Sequence, residues 1–362
     1  MRGYWGYWRE SLARPVVWRV ASYKRADSRG DPKGQSMDGV IRTVSGNIPA
    51  TALGPCDYHD HLFQVSPLLT GDELDDEAAS GREAAAMVAA GLGAMVEATP
   101  TALGRRPAAL ARVCAASGLK AVHVTGAHHE GHYGPGHWLL DESVDDLTRR
   151  FVADIVDGMP DTTIPDDDGP RRGPVACTRA GQPVRAGLVK AGIGYWRISH
   201  FEQCVLEAAA RTALATGVAV MVHLDHGSAA FEVLGRLADA GVSPDRVALA
   251  HIDRNLDPGL HADLTQAGAY IGYDGMARHR EAPDSALIDC LTRALEQGAD
   301  PARILIGADV ARRSRFVAYG GMPGLVYLPQ RFLPRLRTAI GDELVTQMVT
   351  ENPASLLSLR TH

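Results

Sequence analysis

The 362 residues, 45% of them hydrophobic and 22% charged, exclude a chain that is disordered throughout and suffice for one large α/β barrel or two mid-sized domains. A formal net charge of -6 excludes the basic field on which nucleic-acid affinity depends, so we expect no nucleic acid among the partners. No stretch approaches the ~20 apolar residues of a membrane span, so we expect no membrane attachment. Five cysteines without CxxC spacing cannot all pair in disulfides, which predicts a cytoplasmic protein.

The amino-terminal segment, residues 1–36, differs from the rest of the chain. It is rich in arginine, repeats GYW, and lacks the apolar stretch and the cleavage site of a secretory signal. We therefore predict a flexible leader in front of one domain at 37–362, with Met37 as a candidate start of translation. The alternative is that the leader's tryptophans dock on the domain or on a partner subunit.

The segment GPCDYHDHLF (54–63) places His59 and His61 two residues apart. Alternate side chains of an extended strand share one face, so a strand that ends here would aim both imidazoles at the same point. A metal ion would suit that point, although an HxH pair alone is a weak signal.

From about residue 50, short runs rich in β-formers alternate with longer helical stretches rich in alanine and leucine. Besides the segment before His59, the runs predicted as strands lie at 93–99, 120–126, 186–192, 218–224, 246–252, 269–275 and 303–309. Eight such units over ~310 residues predict a single (β/α)₈ barrel better than two doubly wound halves.

One long connection, roughly 133–185, interrupts this alternation. It contains TIPDDDGPRRGPVACTRAGQP, which is rich in proline, glycine and charge. A connection of this length indicates a functional lid or a disordered excursion, and its DDD and RR runs are typical of solvated loop.

Barrel active sites form at the carboxyl ends of the strands, and polar side chains close several of the predicted strands. These are His59, His61, Lys190, His223, His251 and Asp309. Each has an ordinary alternative: a buried histidine usually bonds within the core, a lysine reaches solvent, and an aspartate caps a helix. Their convergence on one end of a barrel favours a metal site.

These motifs, in this order, resemble the phosphotriesterase family of the amidohydrolase superfamily, from VIRTVSGNIPATALG (40–54) to ENPASLL (351–357). The resemblance implies a hydrolase with two divalent metal ions. His59, His61 and Asp309 would hold one ion, and His223 and His251 the other. Lys190, carboxylated by CO₂, would bridge both ions together with a hydroxide.

That hydroxide would be the nucleophile, and Asp309 would take its proton to the leaving group. Zn²⁺ is expected, with Mn²⁺ and Co²⁺ as alternatives.

Two features depart from the pattern of the family. Asp60 stands between the two histidines where the family usually has glutamate, a position that is not a ligand. The segment LVKAGIGYWRIS (188–199) differs from the shorter continuation of the best-known members, and we expect it to alter the wall of the pocket.

Two candidate loops for substrate recognition are strongly cationic, DGMARHREAP (274–283) and DVARRSRFVAYGG (309–321). Their candidate substrate-binding residues are Arg278, Arg280, Arg312, Arg313 and Arg315. Guanidinium forks suit a phosphate or carboxylate, whereas the alternative is surface arginines that pair with neighbouring acids. The loops are similar to the branch of the family that opens phosphorylated sugar lactones.

The run TGAHHEGHYGPGHW (125–138) adds His128, which we interpret as a substrate-binding residue of the pocket wall rather than as a ligand. Glu97, at the end of the second predicted strand, is a candidate to orient a ligand histidine.

The predicted function is metal-dependent opening of a lactone of a phosphorylated or otherwise anionic sugar acid. One alternative uses the same centre on an organophosphate triester or an amide. Another is a non-catalytic barrel that serves as a scaffold, since fold alone does not secure function. We expect a small-molecule substrate and, as the default for such barrels, a homodimer.

Overall fold

The computed structural model describes residues 39–162, 169 and 172–360, so the predicted leader at 1–36 lies outside the described residues. A hairpin comes first, formed by the antiparallel strands β1 (Val40–Thr43) and β2 (Gly46–Pro49). Val44 N donates to Ala121 O at 2.9 Å, which places the hairpin beside the start of a strand of the main sheet. The sequence analysis did not predict this hairpin.

The main sheet has eight parallel strands, hydrogen-bonded in chain order. They are β3 (Cys56–Asp60), β4 (Ala94–Glu97), β5 (Lys120–Gly126), β6 (Leu188–Ile193), β7 (Ala219–Leu224), β8 (Val247–Ala250), β9 (Tyr270–Tyr273) and β10 (Ile304–Ile306). The seam between the first and last strands is bridged where Asp309 N donates to His59 O at 2.9 Å. The (β/α)₈ barrel is therefore confirmed, and its eight strands lie within or beside the predicted runs.

Helices surround the sheet. They are α1 (Glu77–Ala89), α2 (Pro107–Ser117), α3 (Val144–Val156), α4 (His200–Thr216), α5 (Ala230–Asp239), α6 (Pro258–Gln266), α7 (Asp284–Glu296), α8 (Leu333–Ile340), α9 (Asp342–Val349) and α10 (Glu351–Leu357). Glycine caps end α2 and α4, where Gly118 and Gly217 adopt positive φ angles of 79° and 75°.

Alternation along the strands decides which side chains face the barrel axis. In β7, Val220 and Val222 pack in the outer layer between sheet and helices, whereas Met221 packs in the inner layer. His223 therefore continues the inner face at the carboxyl end of the strand. Lys190 lies on the inner face of β6 for the same reason, two residues after Leu188.

The long connection at 133–185 is not irregular throughout, because it contains helix α3. The Oγ of Ser143 caps this helix by accepting from Asp146 N at 3.1 Å. Leu147, Phe151 and Ile155 recur every four residues and are fully buried. The prediction of a disordered excursion was wrong over this helix, because the helical period of its apolar residues was overlooked, whereas the alternative of a functional lid stays a prediction.

The prediction that the RR run is solvated was also wrong for Arg172. Its Nη1 lies 2.6 Å from Oδ1 of Asp154, a fully buried carboxylate that also accepts from Arg105 at 2.7 Å. This ion pair fastens the connection to α3. Residues 163–168, 170 and 171, which include the DDD run, lie outside the described part of the chain.

Within the described residues, no helix combines the length and the apolar character that crossing a bilayer requires. The cytoplasmic location stays a prediction.

Candidate metal centre

A cavity of about 270 Å³ opens at the carboxyl ends of the barrel strands. All six side chains predicted to bind metal line it: His59, His61, Lys190, His223, His251 and Asp309. Each is at least nine-tenths buried. The structure thus brings together residues that are separated by up to 250 positions in the sequence.

The first group in this cavity is formed by His59, His61 and Asp309. Oδ1 of Asp309 lies 3.9 Å from Nε2 of His59 and 3.7 Å from Nε2 of His61. These separations are too long for hydrogen bonds, but they allow the three atoms to share one ion at the ~2.0–2.2 Å typical of zinc ligands. The buried Nε2 of His59 has no hydrogen-bond partner in the described structure. Buried polar atoms normally have such a partner, so this atom is available to bind a metal ion.

Neighbouring groups fix the tautomer of His61. Its Nδ1 lies 2.6 Å from Oγ1 of Thr99, and that hydroxyl donates its own proton to Phe63 O at 2.7 Å. Oγ1 must therefore accept from Nδ1–H, which leaves the Nε2 lone pair available. Glu97 makes no direct hydrogen bond to a histidine among the described residues. Its carboxylate accepts from Leu62 N at 2.6 Å, which fixes the loop after β3, and it interacts with Thr99, so its role in orienting His61 stays a prediction.

Asp274 orients two more histidines, and the sequence analysis did not identify it. This fully buried carboxylate lies 3.0 Å from Nδ1 of His59 and 2.6 Å from Nδ1 of His251, and it also accepts from the hydroxyl of Tyr58. Both histidines must donate from Nδ1, so both keep the Nε2 lone pair. Its position could have identified it as a candidate site residue, because Asp274 lies one residue after β9, at the end of the barrel where active sites form.

We expect Asp274→Asn to weaken binding of divalent metal by about 10- to 100-fold, the usual effect of removing a partner of a ligand histidine. An amide cannot accept from both Nδ1–H groups with the strength of a carboxylate. Dissociation constants measured by competition with a chelator test this, with Asp263→Asn, an exposed residue of α6, as the control. Equal constants for both variants would show that Asp274 has no such role.

The second group comprises His223 and His251. Nδ1 of His223 lies 2.8 Å from Nε2 of His251, close enough for both nitrogens to approach one ion. Burial lowers the pKa of His251 to about 3 and that of His223 well below its usual value. Both rings are therefore neutral near pH 7, as metal ligands must be.

Two of the six predicted metal ligands adopt a strained backbone conformation. His251 and Asp309 have φ angles of 64° and 42°, in the left-handed region that residues other than glycine rarely enter. Such conformations cost on the order of 1–3 kcal/mol each and are concentrated at functional sites. Here they occur directly after β8 and three residues after β10, at two side chains that line the cavity.

The Asp309 carboxylate also binds two arginines. Its Oδ2 accepts from Arg278 and lies 3.1 Å from Nη2 of Arg254. Burial alone would raise the pKa of Asp309, but the charge of Arg278, with that of Arg254 adding to it, lowers the pKa well below its usual range. Before any proton transfer, Asp309 is therefore an anion near pH 7. The sequence analysis did not identify Arg254, although it follows the predicted ligand His251 by only three residues.

Lys190 is unusual because its amine is buried without an ion pair among the described residues, although the more distant carboxylates of Asp309, Asp274 and Glu97 favour its charged form. Its Nζ donates to Ala98 O at 2.8 Å, and among the described residues no carboxylate lies within 4 Å of it. Burial lowers the pKa of the amine to about 8, so part of the population is neutral near pH 7.

The five predicted arginines occupy different places. Arg278 and Arg312 line the cavity. Arg315 lies below it and donates to Asp309 O at 3.4 Å and to Met276 O at 3.3 Å. Arg280 is exposed, and Arg313 stacks on Tyr319 with its guanidinium 5.3 Å from the ring centre. Neither of these two lines the cavity in the described structure, so the roles proposed for them in substrate binding stay predictions.

His128 lies in the cavity wall, as expected, and is part of a cluster of rings. Its ring centre is 3.7 Å from that of His132, 4.3 Å from that of His223 and 4.6 Å from that of His129. Burial lowers the pKa values of His128 and His129, and lowers that of His132 to about 3. The wall is therefore neutral.

The segment after β6 contributes no side chain of residues 194–199 to the lining of the cavity in the described structure. Tyr195 and Trp196 line a neighbouring groove of about 840 Å³, which meets the cavity at Arg254. The expected change in the pocket wall therefore lies outside the cavity itself.

Comparison with known proteins agrees with this geometry. The model of the phosphotriesterase family matches residues 39–166 and 176–357. A phospho-furanose lactonase of Mycoplasmopsis agalactiae is 30% identical over 344 residues, which cover 89% of this chain and 92% of that protein. Among solved structures, an amidohydrolase from Mycoplasma synoviae is 28% identical with a TM-score of 0.79 and covers 89% of this chain and 93% of its own. A lactonase from Listeria monocytogenes is 26% identical with a TM-score of 0.78, covering 89% and 100%. The chain therefore belongs to the phosphotriesterase family, a family of metal-dependent hydrolases.

Proposed function

We propose that this enzyme hydrolyses the ester bond of a small lactone that carries a phosphate or another anionic group. The observation that carries the proposal is the composition of one cavity, in which histidine and aspartate side chains suited to metal lie beside three guanidinium groups, those of Arg254, Arg278 and Arg312. A cavity of about 270 Å³ suits a substrate the size of a single sugar ring better than a larger ligand.

The donor atoms fit two divalent ions. His59, His61 and Asp309 would hold one, and His223 and His251 the other, with zinc favoured and manganese or cobalt as alternatives. Three of these histidines keep an Nε2 lone pair because their Nδ1–H groups are engaged by Asp274 or Thr99. Divalent ions bound there would make a water molecule acidic enough to attack an ester and would polarise its carbonyl group.

The protein's own groups would position the reaction and move its proton. Asp309 is anionic and reaches both histidines of the first group, so it can accept the proton of the attacking water. That proton would then pass to the ring oxygen that leaves when the lactone opens. The buried position of the cavity keeps these charges in a medium of low dielectric, where they act strongly.

We also propose that Lys190 carries a carbamate. Its neutral amine would attack CO₂, forming one N–C bond and releasing one proton, and the product would be an anionic oxygen donor between the two groups of ligands. Burial favours this change because it leaves part of the amine neutral and able to attack CO₂. The carbamate anion would then be stabilised by the attraction of two cations.

We expect protein prepared with ¹³C-bicarbonate and zinc to show a carbamate carbon resonance that Lys190→Met removes. Lys120→Met is the matched control, because Lys120 lies at the other end of the barrel with its Nζ 3.2 Å from Leu53 O. Persistence of the resonance in Lys190→Met would refute the assignment of the carbamate to this residue.

The proposed activity is tested with a panel of lactones, followed by the release of acid. We expect phosphorylated furanose lactones to be the best substrates, and we expect a chelator to abolish turnover and added zinc to restore it. Hydrolysis of an organophosphate triester or an amide at a higher kcat/KM than any lactone would overturn the proposal in favour of the alternative chemistry. Absence of turnover on every class would favour the scaffold. The homodimer stays a prediction, for which sedimentation is the test.

A further inference from the structure

The histidines of the cavity divide into two kinds according to the group bound at Nδ1. As described above, His59, His61 and His251 donate from Nδ1 and expose a lone pair at Nε2. His128 and His129 have the reverse arrangement. Nδ1 of His128 accepts from His129 N at 2.9 Å, and Nδ1 of His129 accepts from Gly131 N at 3.2 Å.

This arrangement fixes the proton on Nε2 of both rings. A backbone N–H can only donate, so each Nδ1 must hold a lone pair, and a neutral ring then carries its proton on Nε2. Because Nδ1 is turned back toward the chain, Nε2 is the nitrogen that each ring presents to the cavity. Neither Nε2 has a hydrogen-bond partner among the described residues.

The two donors face the cationic side of the cavity. His128 and His129 follow β5, whereas Arg278 follows β9, four strands further round a barrel of eight. A substrate that bridges the cavity would therefore place its anionic group on the arginines and its uncharged part against the two histidines.

We propose that His128 and His129 donate hydrogen bonds from Nε2 to hydroxyl oxygens on the ring of the substrate, and that they select a polyhydroxylated lactone over a deoxygenated or alkyl lactone. This inference rests on the proposed lactonase function and names its substrate class further. A hydroxyl oxygen is the acceptor that a neutral N–H suits, and the charged group is already matched by the guanidinium groups.

The competing interpretation is a third metal site. Ligand atoms of His128, His129 and His223 lie within 4.8 Å of one another, close enough for one ion. The tautomers argue against it, because Nε2 could bind an ion only after both rings lost a proton or both backbone hydrogen bonds broke.

Nitrogen NMR of the full chain labelled with ¹⁵N-histidine distinguishes these interpretations without any turnover. We expect His128 and His129, assigned by loss of their signals in His128→Phe and His129→Phe, to carry the proton on Nε2 both before and after zinc is added. A proton on Nδ1, or a zinc-induced shift of either Nε2, would overturn the proposal and favour the third site.

Kinetics test the recognition itself. We expect His128→Phe and His129→Phe to lower kcat/KM for a phosphorylated furanose lactone by about three- to tenfold, the usual loss for a neutral hydrogen bond. The ratio of this kcat/KM to that for the matched deoxy lactone should fall by the same factor, and that ratio isolates the contribution of the hydrogen bond. His128→Gln, which keeps an N–H donor, should retain part of the preference, and His200→Phe, an exposed residue of α4, should behave like the wild type.

Failure of the proposed lactonase function can be distinguished from failure of the inference about His128 and His129. If the wild type hydrolyses no lactone, the proposed function is wrong and the inference fails with it. If the wild type hydrolyses lactones and both phenylalanine variants, folded and with unchanged metal content, keep its preference for the hydroxylated ring, only the inference is wrong.

Discussion

Replacing Asp309 with asparagine is expected to lower kcat/KM for the lactone by about 10³-fold or more. Loss of a general base alone usually costs about 10²- to 10⁴-fold. Two effects act together. The amide cannot accept the proton of the attacking water, and it is a weaker, uncharged ligand for the ion that His59 and His61 would hold. We therefore expect less bound metal as well as slower turnover.

The same substitution removes the negative charge that pairs with Arg254 and Arg278. Both guanidinium groups are largely buried, so thermal unfolding of the metal-free variant should be measured beside its activity. Asp289→Asn is the matched control, because Asp289 pairs with Arg293 in the open on α7. A folded Asp309→Asn enzyme with wild-type metal content and wild-type kcat/KM would contradict the role given to this carboxylate.

Replacing Arg278 with methionine is expected to lower the preference for phosphorylated over unphosphorylated lactone by about 10- to 100-fold, the range for hydrogen bonds to a charged group. Methionine keeps much of the length and packing of the side chain but has no donor. Arg278 also binds Asp309, so turnover of both substrates can fall. The ratio of their kcat/KM values isolates the contribution of the phosphate.

Arg280→Met is the matched control, since Arg280 belongs to the same loop but is exposed and does not line the cavity in the described structure. Its ratio should equal that of the wild type. We expect Arg254→Met to act like Arg278→Met. If neither of these two variants changes the ratio, the substrate's anionic group is bound elsewhere.

Much of the site could be predicted from the sequence because strand ends are easy to locate. Runs such as VAVMVHL and ALAHI are apolar up to one histidine, and in a parallel barrel every such end meets the same cavity. Lys190, His223 and His251 were found in this way, and the predicted runs contain or adjoin the observed strands.

The rest depended on contacts that no sequence pattern fixes. In the sequence, nothing distinguishes Asp274 from any other aspartate that follows a strand. Its role is recognisable only in the structure, where the Nδ1 atoms of two histidines lie beside its carboxylate. Arg254 and Arg278 enter the cavity, whereas Arg280 and Arg313 do not, because loop conformation decides where a long flexible side chain points. The tautomers of His128 and His129 likewise follow from the backbone N–H groups of His129 and Gly131, whose positions the sequence alone did not reveal.

X-ray diffraction from zinc-loaded crystals, recorded at the zinc absorption edge, tests the central claim that six side chains from the ends of five strands hold two ions. We expect two anomalous peaks, one beside His59, His61 and Asp309 and the other beside His223 and His251, with density from Lys190 reaching both. A single peak, no peak, or a peak on His128 and His129 instead would contradict this account.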